Sequence, residues 1–489
     1  MERLRAADVV VHDHLVSAAL LDAARPEAER IYAGKWAGAR ALSQQQINEL
    51  LVDRARRARL VVRLKGGDPF LFGRGGEEAA WLAAHGVPFE VVPGPSAALA
   101  VPAYAGIPVT DRRASSSLLV VTGHEDPARP MDRVRWERMA TAADTLVVLM
   151  GARRLAAIAA AMVAGGRAPA TPAAVVQWGT TAAQRTVTGT LADIAARAAA
   201  AAIGSPATLV VGDVVALRSE IAWFDRRPLH GARVLVTRAR EQAGGLVEAL
   251  EALGADVLVL PVLAFAPPES TAPLDSALAR LDTYGWVILT SANAVDALFE
   301  RIRALNGDAR LLAPVCICAV GPATAERLEA HGIVADLVPE EATAEGVLSA
   351  LEQALGRAGL ASGRFLMPRA AEGRDVIPAG IAALGGFIDV VTAYRTVCPE
   401  EPDPGPALQA LRSGALHAVT LTSPSAVRNL VGRLGGGEEA LDLLGRVRIA
   451  TIGPTTSTAA RALGLPVHAE ASPHTADGLA DAVARALMS

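Results

Sequence analysis

The chain has 489 residues, 51% hydrophobic and 20% charged, with a formal net charge of −4. That length holds roughly two to four domains with full cores, and the near-neutral balance excludes the strong basic excess of a nucleic-acid binder. No apolar run approaches the roughly 18 residues that cross a bilayer, and the cysteines, Cys316, Cys318 and Cys398, have neither zinc spacing nor a disulfide framework. The opening Met1-Glu2-Arg3-Leu4-Arg5 has no signal-peptide layout. The expectation is a cytoplasmic protein with no metal site and neither a nucleic-acid nor a membrane partner.

In chain order, short β-branched runs alternate with Ala/Leu-rich helical stretches, which is the βαβ pattern of mainly parallel sheets and predicts an α/β fold class. Strand-like runs stand at Val9-Val10-Val11, Leu60–Leu64, Leu118–Thr122 and Thr145–Met150. Leu60–Leu64 runs into Lys65-Gly66-Gly67-Asp68-Pro69-Phe70-Leu71-Phe72-Gly73-Arg74-Gly75-Gly76-Glu77-Glu78. Its glycines allow close backbone approach and Pro69 fixes the turn. Glu77 and Glu78 suit the first turn of the next helix. Alone this string reads as a plain turn; it is not the dinucleotide fingerprint. The polar stretch Thr110–Ser117 divides the front half, and Trp223–Gly231 breaks the pattern as a linker. The only lysines are Lys35 and Lys65. A lysine surviving among so many arginines is a candidate for work that needs a compact ammonium.

The back half contains a repeat. Leu289-Thr290-Ser291-Ala292-Asn293-Ala294-Val295 matches Leu421-Thr422-Ser423-Pro424-Ser425-Ala426-Val427. Gly321-Pro322-Ala323-Thr324 matches Gly453-Pro454-Thr455-Thr456, and Thr343-Ala344-Glu345-Gly346 matches Thr475-Ala476-Asp477-Gly478. The spacing is 132 positions each time (290 to 422, 321 to 453, 346 to 478). Val236-Thr237-Arg238 and Met367-Pro368-Arg369 stand 131 apart (238 to 369). This predicts two similar α/β lobes, the first interrupted by the second, with a ligand cleft between them. A Thr-Ser pair after a strand also serves simply as a helix cap.

The front half, roughly residues 1–226, resembles the uroporphyrinogen-III C-methyltransferases of the tetrapyrrole methylase family. The resemblance rests on Lys65–Glu78, His12-Asp13-His14-Leu15-Val16, Gly34-Lys35-Trp36-Ala37-Gly38 and Val91-Val92-Pro93-Gly94-Pro95-Ser96-Ala97-Ala98. It continues through Ala103–Pro108, Val121-Thr122-Gly123-His124, Val148-Leu149-Met150-Gly151, Gln177-Trp178-Gly179-Thr180-Thr181 and Val211–Val215. It implies S-adenosylmethionine as methyl donor in a cleft between two α/β lobes, lined by Gly66, Gly67, Asp68, Leu71, Ser96, Ala97, Met150 and Gly179. It further implies Asp13 as proton acceptor, Lys35 as proton donor, uroporphyrinogen III as substrate and a homodimer through the methylase domain. Family members open with a strand and a Gly-x-Gly-Pro-Gly-Asp-Pro loop that have no match here, so a methylase domain lacking its first strand and loop is expected at 1–226.

From Gly231 onward the chain resembles uroporphyrinogen-III synthases, through Val234–Arg238, the paired repeats and Ala393-Tyr394-Arg395-Thr396. The resemblance implies closure of hydroxymethylbilane with inversion of the last ring. Tyr394 would be the acid, and Ser291, Thr324, Ser423 and Thr455 would bind substrate. The expected synthase domain is 227–489, with lobe one at 231–266 plus 396–489 and lobe two at 267–395. Three readings stand: a bifunctional enzyme, an active synthase with a non-catalytic methylase domain, or a two-lobed tetrapyrrole-binding protein.

Overall fold

The computed structural model describes residues 1–34, 42–123, 135–238, 240–373, 375–399 and 405–488. Lys35 and the rest of its motif, and His124, lie outside the described residues. The chain forms two compact units, Met1–Ala232 with Leu253–Asp256, and Arg233–Ala252 with Val257–Ser489. The fold class is α/β throughout.

In the first unit, strands β1 (Val9–His12), β2 (Glu29–Tyr32) and β3 (Val61–Leu64) form a parallel sheet in the order β2-β1-β3. The valines of β1 are buried, whereas every residue of β3 is only half-buried. The edge of β3 away from β1 has no strand partner among the described residues. Nearby in sequence, Phe89, Val91 and Val92 are exposed in a stretch that joins no sheet. Parallel strands are usually covered on both sides, so this edge leaves backbone groups and apolar surface to solvent.

A second sheet contains β4 (Leu118–Thr122), β5 (Thr145–Leu149), β6 (Pro172–Gln177), β7 (Arg185–Thr190) and β8 (Ala207–Val211), in the order β4-β5-β8-β6-β7. The sequence pattern predicts mainly parallel sheets, but here only β4 and β5 run parallel; β8 lies antiparallel between β5 and β6. The connection from β6 to β7 spans only 178–184, too short for a crossover helix, so these strands close as a hairpin. Strand β5 is buried along its whole length because its side chains alternate between two cores. Leu146 and Val148 face Leu155, Ile158 and Met162, while Val147 and Leu149 pack with Ala98 and Val101 of the helix Ala97–Tyr104.

The expected linker is tied down on this unit. The Tyr104 ring lies 5.3 Å from that of Trp223 and 4.7 Å from that of Phe224. Trp223 Nε1 donates to the Ala103 carbonyl at 3.1 Å, the Arg227 guanidinium sits 3.8 Å from the Phe224 ring centre, and His230 Nε2 lies 2.9 Å from the Gln184 carbonyl. These contacts carry the first unit to Ala232, beyond the boundary expected at 226/227.

In the second unit, β9 (Arg233–Val236) and β10 (Asp256–Val259) open one sheet. The chain then builds another from β11 (Ala264–Ala266), β12 (Trp286–Leu289), β13 (Cys316–Ala319), β14 (Arg364–Ala370) and β15 (Phe387–Val397). It returns to the first sheet with β16 (Ala418–Leu421), β17 (Arg448–Thr451) and β18 (Ala469–Glu470). The orders are β10-β9-β16-β17-β18 and β11-β15-β14-β12-β13. The interruption read from the repeat is therefore present. The lobe limits differ by a few residues from 266/267 and 395/396: Ala264–Ala266 pairs antiparallel with Arg395–Val397, which puts both crossing segments in the second lobe's sheet.

A cation over an aromatic face contributes about 0.5–2 kcal/mol, depending on its exposure. Arg227→Ala should therefore destabilise the first unit by about 1 kcal/mol, measured by urea unfolding with Trp223, beside it, as fluorescent reporter. An unchanged midpoint would mean that the strap does not hold.

Candidate functional sites

Three chain segments carrying predicted methyl-donor residues converge in the first unit. Gly67 takes φ +79°, a conformation that favours glycine, and its carbonyl oxygen would lie 2.6 Å from a Cβ placed on Gly94. Only glycine lets these two loops approach so closely. Asp68 ties them together: its carboxylate accepts from the amides of Phe70 at 2.8 Å, Leu71 at 3.1 Å and Gly94 at 3.4 Å. Ser96 follows, its hydroxyl capping the helix that starts at Ala97 by accepting from the Ala98 amide at 3.2 Å. Gly179 rests on the same helix, where a Cβ would meet Val101 at 2.4 Å. Gly66 lies against Leu15, in the turn after Asp13. Met150, at the end of β5, is half-exposed with φ +59°, and Leu71 is also exposed. The structure thus gathers Gly66, Gly67, Asp68, Ser96, Ala97 and Gly179. It leaves Leu71 and Met150 as apolar surface.

Asp13 accepts from the Leu15 amide at 3.0 Å and stands 4.0 Å from Arg63. Behind it lies a charge network that sequence reading did not single out. Glu78 is buried and accepts from Lys65 Nζ at 3.2 Å, Arg63 Nε at 3.4 Å and Gln44 Nε2 at 3.1 Å. Burial pushes the Lys65 ammonium below its usual pKa, with the adjacent Arg63 charge adding to the effect. Lys65 is therefore held inside the fold rather than solvated.

In the second unit, the repeated Ser291 and Ser423 do the same local work. Each caps a helix by accepting at 3.1 Å from the amide three residues on, Ala294 and Ala426. Ser291 Oγ also lies 3.1 Å from Tyr394 Oη. Tyr394 is 9% exposed, and its ring stands edge-on to Phe265 at 5.6 Å. Phe265 lines a cavity of about 420 Å³ together with Arg238, Gln242, Thr422, Ser423 and Thr475. Gln242 Nε2 donates to Asn293 Oδ1 at 2.6 Å and so links the two lobes. Of the predicted substrate residues, Ser423 lines the cavity and Ser291 reaches Tyr394. Thr324 is buried, as is Thr456, its partner at the repeat spacing; Thr455 is exposed beside it.

Residues 1–195 match the family model for "Tetrapyrrole (Corrin/Porphyrin) Methylases", and residues 245–481 match that for "Uroporphyrinogen-III synthase HemD". The chain is 34% identical over 433 residues to the "Porphyrin biosynthesis protein HemD" of Ruminiclostridium josui, covering 88% of this chain and 85% of that one. The chain belongs to the fused tetrapyrrole methylase–uroporphyrinogen-III synthase family. It is 50% identical over 211 residues to an "S-adenosyl-L-methionine-dependent uroporphyrinogen III methyltransferase" of Methanosarcina barkeri, covering 43% of this chain and 83% of that one. Among solved structures, the Thermus thermophilus uroporphyrin-III C-methyl transferase complexed with S-adenyl homocysteine is 37% identical, covers 44% of this chain and 90% of its own, and has a TM-score of 0.38.

As a member of this family the chain is an enzyme of tetrapyrrole biosynthesis with a methylase and a synthase domain. The cavity residues Arg238, Gln242, Thr422 and Thr475 were absent from the residues picked by sequence. For Arg238 the Val236-Thr237-Arg238 repeat was the available signal. Among the described residues no group of three or more His, Cys, Asp or Glu side chains could hold a metal ion, and no helix is long and apolar enough to cross a membrane. Burial pushes the Cys318 thiol up to about 12.

Because the Asp68 carboxylate accepts three loop amides, it acts first as a clasp. Asp68→Ala should speed hydrogen exchange of the Phe70, Leu71 and Gly94 amides by at least about tenfold, since each lost bond to a charged acceptor is worth about 1.5–3 kcal/mol before solvent screening. Unchanged exchange would leave the carboxylate available to a ligand instead.

Proposed function

We propose that the chain closes hydroxymethylbilane to uroporphyrinogen III with inversion of ring D, and methylates uroporphyrinogen III at carbons 2 and 7 with S-adenosylmethionine to give precorrin-2. The observation that carries the reading is the Ser291–Tyr394 hydroxyl pair, one aromatic ring away from the cavity of the second unit. This pairing supports Tyr394 as the proton donor for the departing hydroxide. Ser291 fixes the phenol, since its own oxygen is anchored by the Ala294 amide. Ser423 and the hydroxyls near it line the cavity beside helix N-termini, which suits carboxylate arms.

In the first unit, the residues present fit S-adenosylmethionine. Glycine at 66, 67 and 94 lets the loops pack closely and brings their backbone polar groups together, and exposed Leu71 and Met150 offer apolar faces to a purine. The bound donor would supply an activated methyl group. The chain's own task is then alignment, an orientation effect, and removal of a proton from the methylated carbon. We assign that proton to Asp13, with Lys35 as donor. Residues 1–226 and 227–489 remain the proposed working domains. The same reading puts the protein in the cytoplasm and pairs it with a second copy through the methylase domain.

Tyr394→Phe tests the synthase assignment. A general acid contributes about 10²–10⁴-fold, so the variant should cyclise the bilane at least about 100-fold more slowly while keeping the wild-type unfolding midpoint. A rate equal to wild type would reduce Tyr394 to a packing residue.

A further inference from the structure

The two lobes of the second unit are copies in sequence, yet their equivalent arginines have different partners. Arg369, in β14, meets Asp375 at 2.7 Å. Arg238, just after β9, has no carboxylate within ion-pair distance among the described side chains. Its Nε makes a single 3.4 Å hydrogen bond to the neutral amide oxygen of Gln242. The position 131 before Asp375 is Gly244, so Asp375 has no carboxylate counterpart at the repeat spacing. Burial pushes the Arg238 guanidinium below its ordinary pKa, but arginine stays charged in proteins. A half-buried cation with no counter-ion among the described residues is costly unless something else brings the negative charge.

Arg238 opens onto the cavity of about 420 Å³, with the hydroxyl-bearing Thr422, Ser423 and Thr475 on its walls. Thr475 Oγ1 accepts from the Gly478 amide at 3.2 Å in the first turn of the helix Ala476–Met488, as Ser423 does for Pro424–Arg433. Leu263, Phe265 and Ile452 supply the apolar part of the wall, and His474, Thr396 and Ser425 add polar groups to it. One guanidinium, an imidazole, several hydroxyls and an apolar part of the wall match a flat ring that bears an acidic arm.

We propose that Arg238 is the anion anchor of this cavity and takes a carboxylate arm of one pyrrole unit of the bilane, while Arg369 serves only the fold. The duplicated lobes thereby divide the work: the first binds the acidic arm and the second keeps its arginine neutralised. The proposal rests on the synthase reading above.

The test is steady-state cyclisation of freshly generated bilane by the full chain. Arg238→Gln should raise KM roughly 10- to 100-fold, the range expected for loss of a charge-assisted bond. Arg238→Lys keeps the charge and should recover at least half of that loss on a logarithmic scale. Arg369→Gln should leave KM within about twofold and lower the unfolding midpoint instead. An unchanged KM in Arg238→Gln, no recovery in Arg238→Lys, or an equal rise in Arg369→Gln would each overturn the assignment. A wild-type chain that makes only the uninverted type I macrocycle would overturn the synthase reading, and this proposal with it. Type III product from wild type with unaltered Arg238→Gln kinetics would sink this proposal alone.

Discussion

The three-residue antiparallel pairing of β11 with β15 is the constraint on which the second unit depends. It joins Ala264 to Val397, Phe265 to Thr396 and Ala266 to Arg395. The chain leaves its first lobe through one of these strands and comes back through the other, so each lobe is finished only when both crossings are in register. Arg395 secures the exit with a bond to the Pro267 carbonyl at 3.1 Å and an ion pair to Glu269 at 3.1 Å. The register also shapes the cavity. It puts Phe265 and Thr396 on the cavity wall and stands Tyr394 edge-on to Phe265. A slip of one residue would turn these side chains to the opposite face.

The first unit depends on an analogous economy of side chains. Gly67 and Gly94 meet backbone to backbone, and Asp68 fastens the two loops with charge-assisted hydrogen bonds. The helix that begins at Ala97 then carries this arrangement onto the second sheet through Ala98 and Val101. Gly179 closes over Val101 from the other side, and Gln184 braces that loop by accepting the Thr180 amide at 2.9 Å. His230 in turn reaches the Gln184 carbonyl. The Gly67 and Gly94 loops and the strap that ends the unit are therefore parts of one mechanical assembly.

Much of this was legible in the sequence because duplication and helix capping leave local marks. Ser291 and Ser423 stand 132 positions apart and cap their helices with the same geometry. The interruption of the first lobe followed from the order of the repeats. Less local features were not legible. The hairpin of β6 and β7 could not be told from a crossover, because strand direction leaves no periodicity. Thr455 is the expected substrate residue and Thr456 the one at the repeat spacing from Thr324; the structure exposes Thr455 and buries Thr456. Trp223–Gly231 reads as a linker because it breaks the α/β pattern, yet its aromatic rings and Arg227 find partners from Ala103 to Gln184. Lys65 stood out by its rarity, but only the fold pairs it with Glu78. Arg238 is visible as half of a repeat; that no described carboxylate pairs with it belongs to three dimensions.

If one chain both closes and methylates the macrocycle, both activities must appear in a single incubation. The most direct measurement incubates the full chain with hydroxymethylbilane and S-adenosylmethionine and analyses the product by mass and isomer after chromatography. The expected product is a type III macrocycle carrying two added methyl groups. An unmethylated product of type I alone would contradict it.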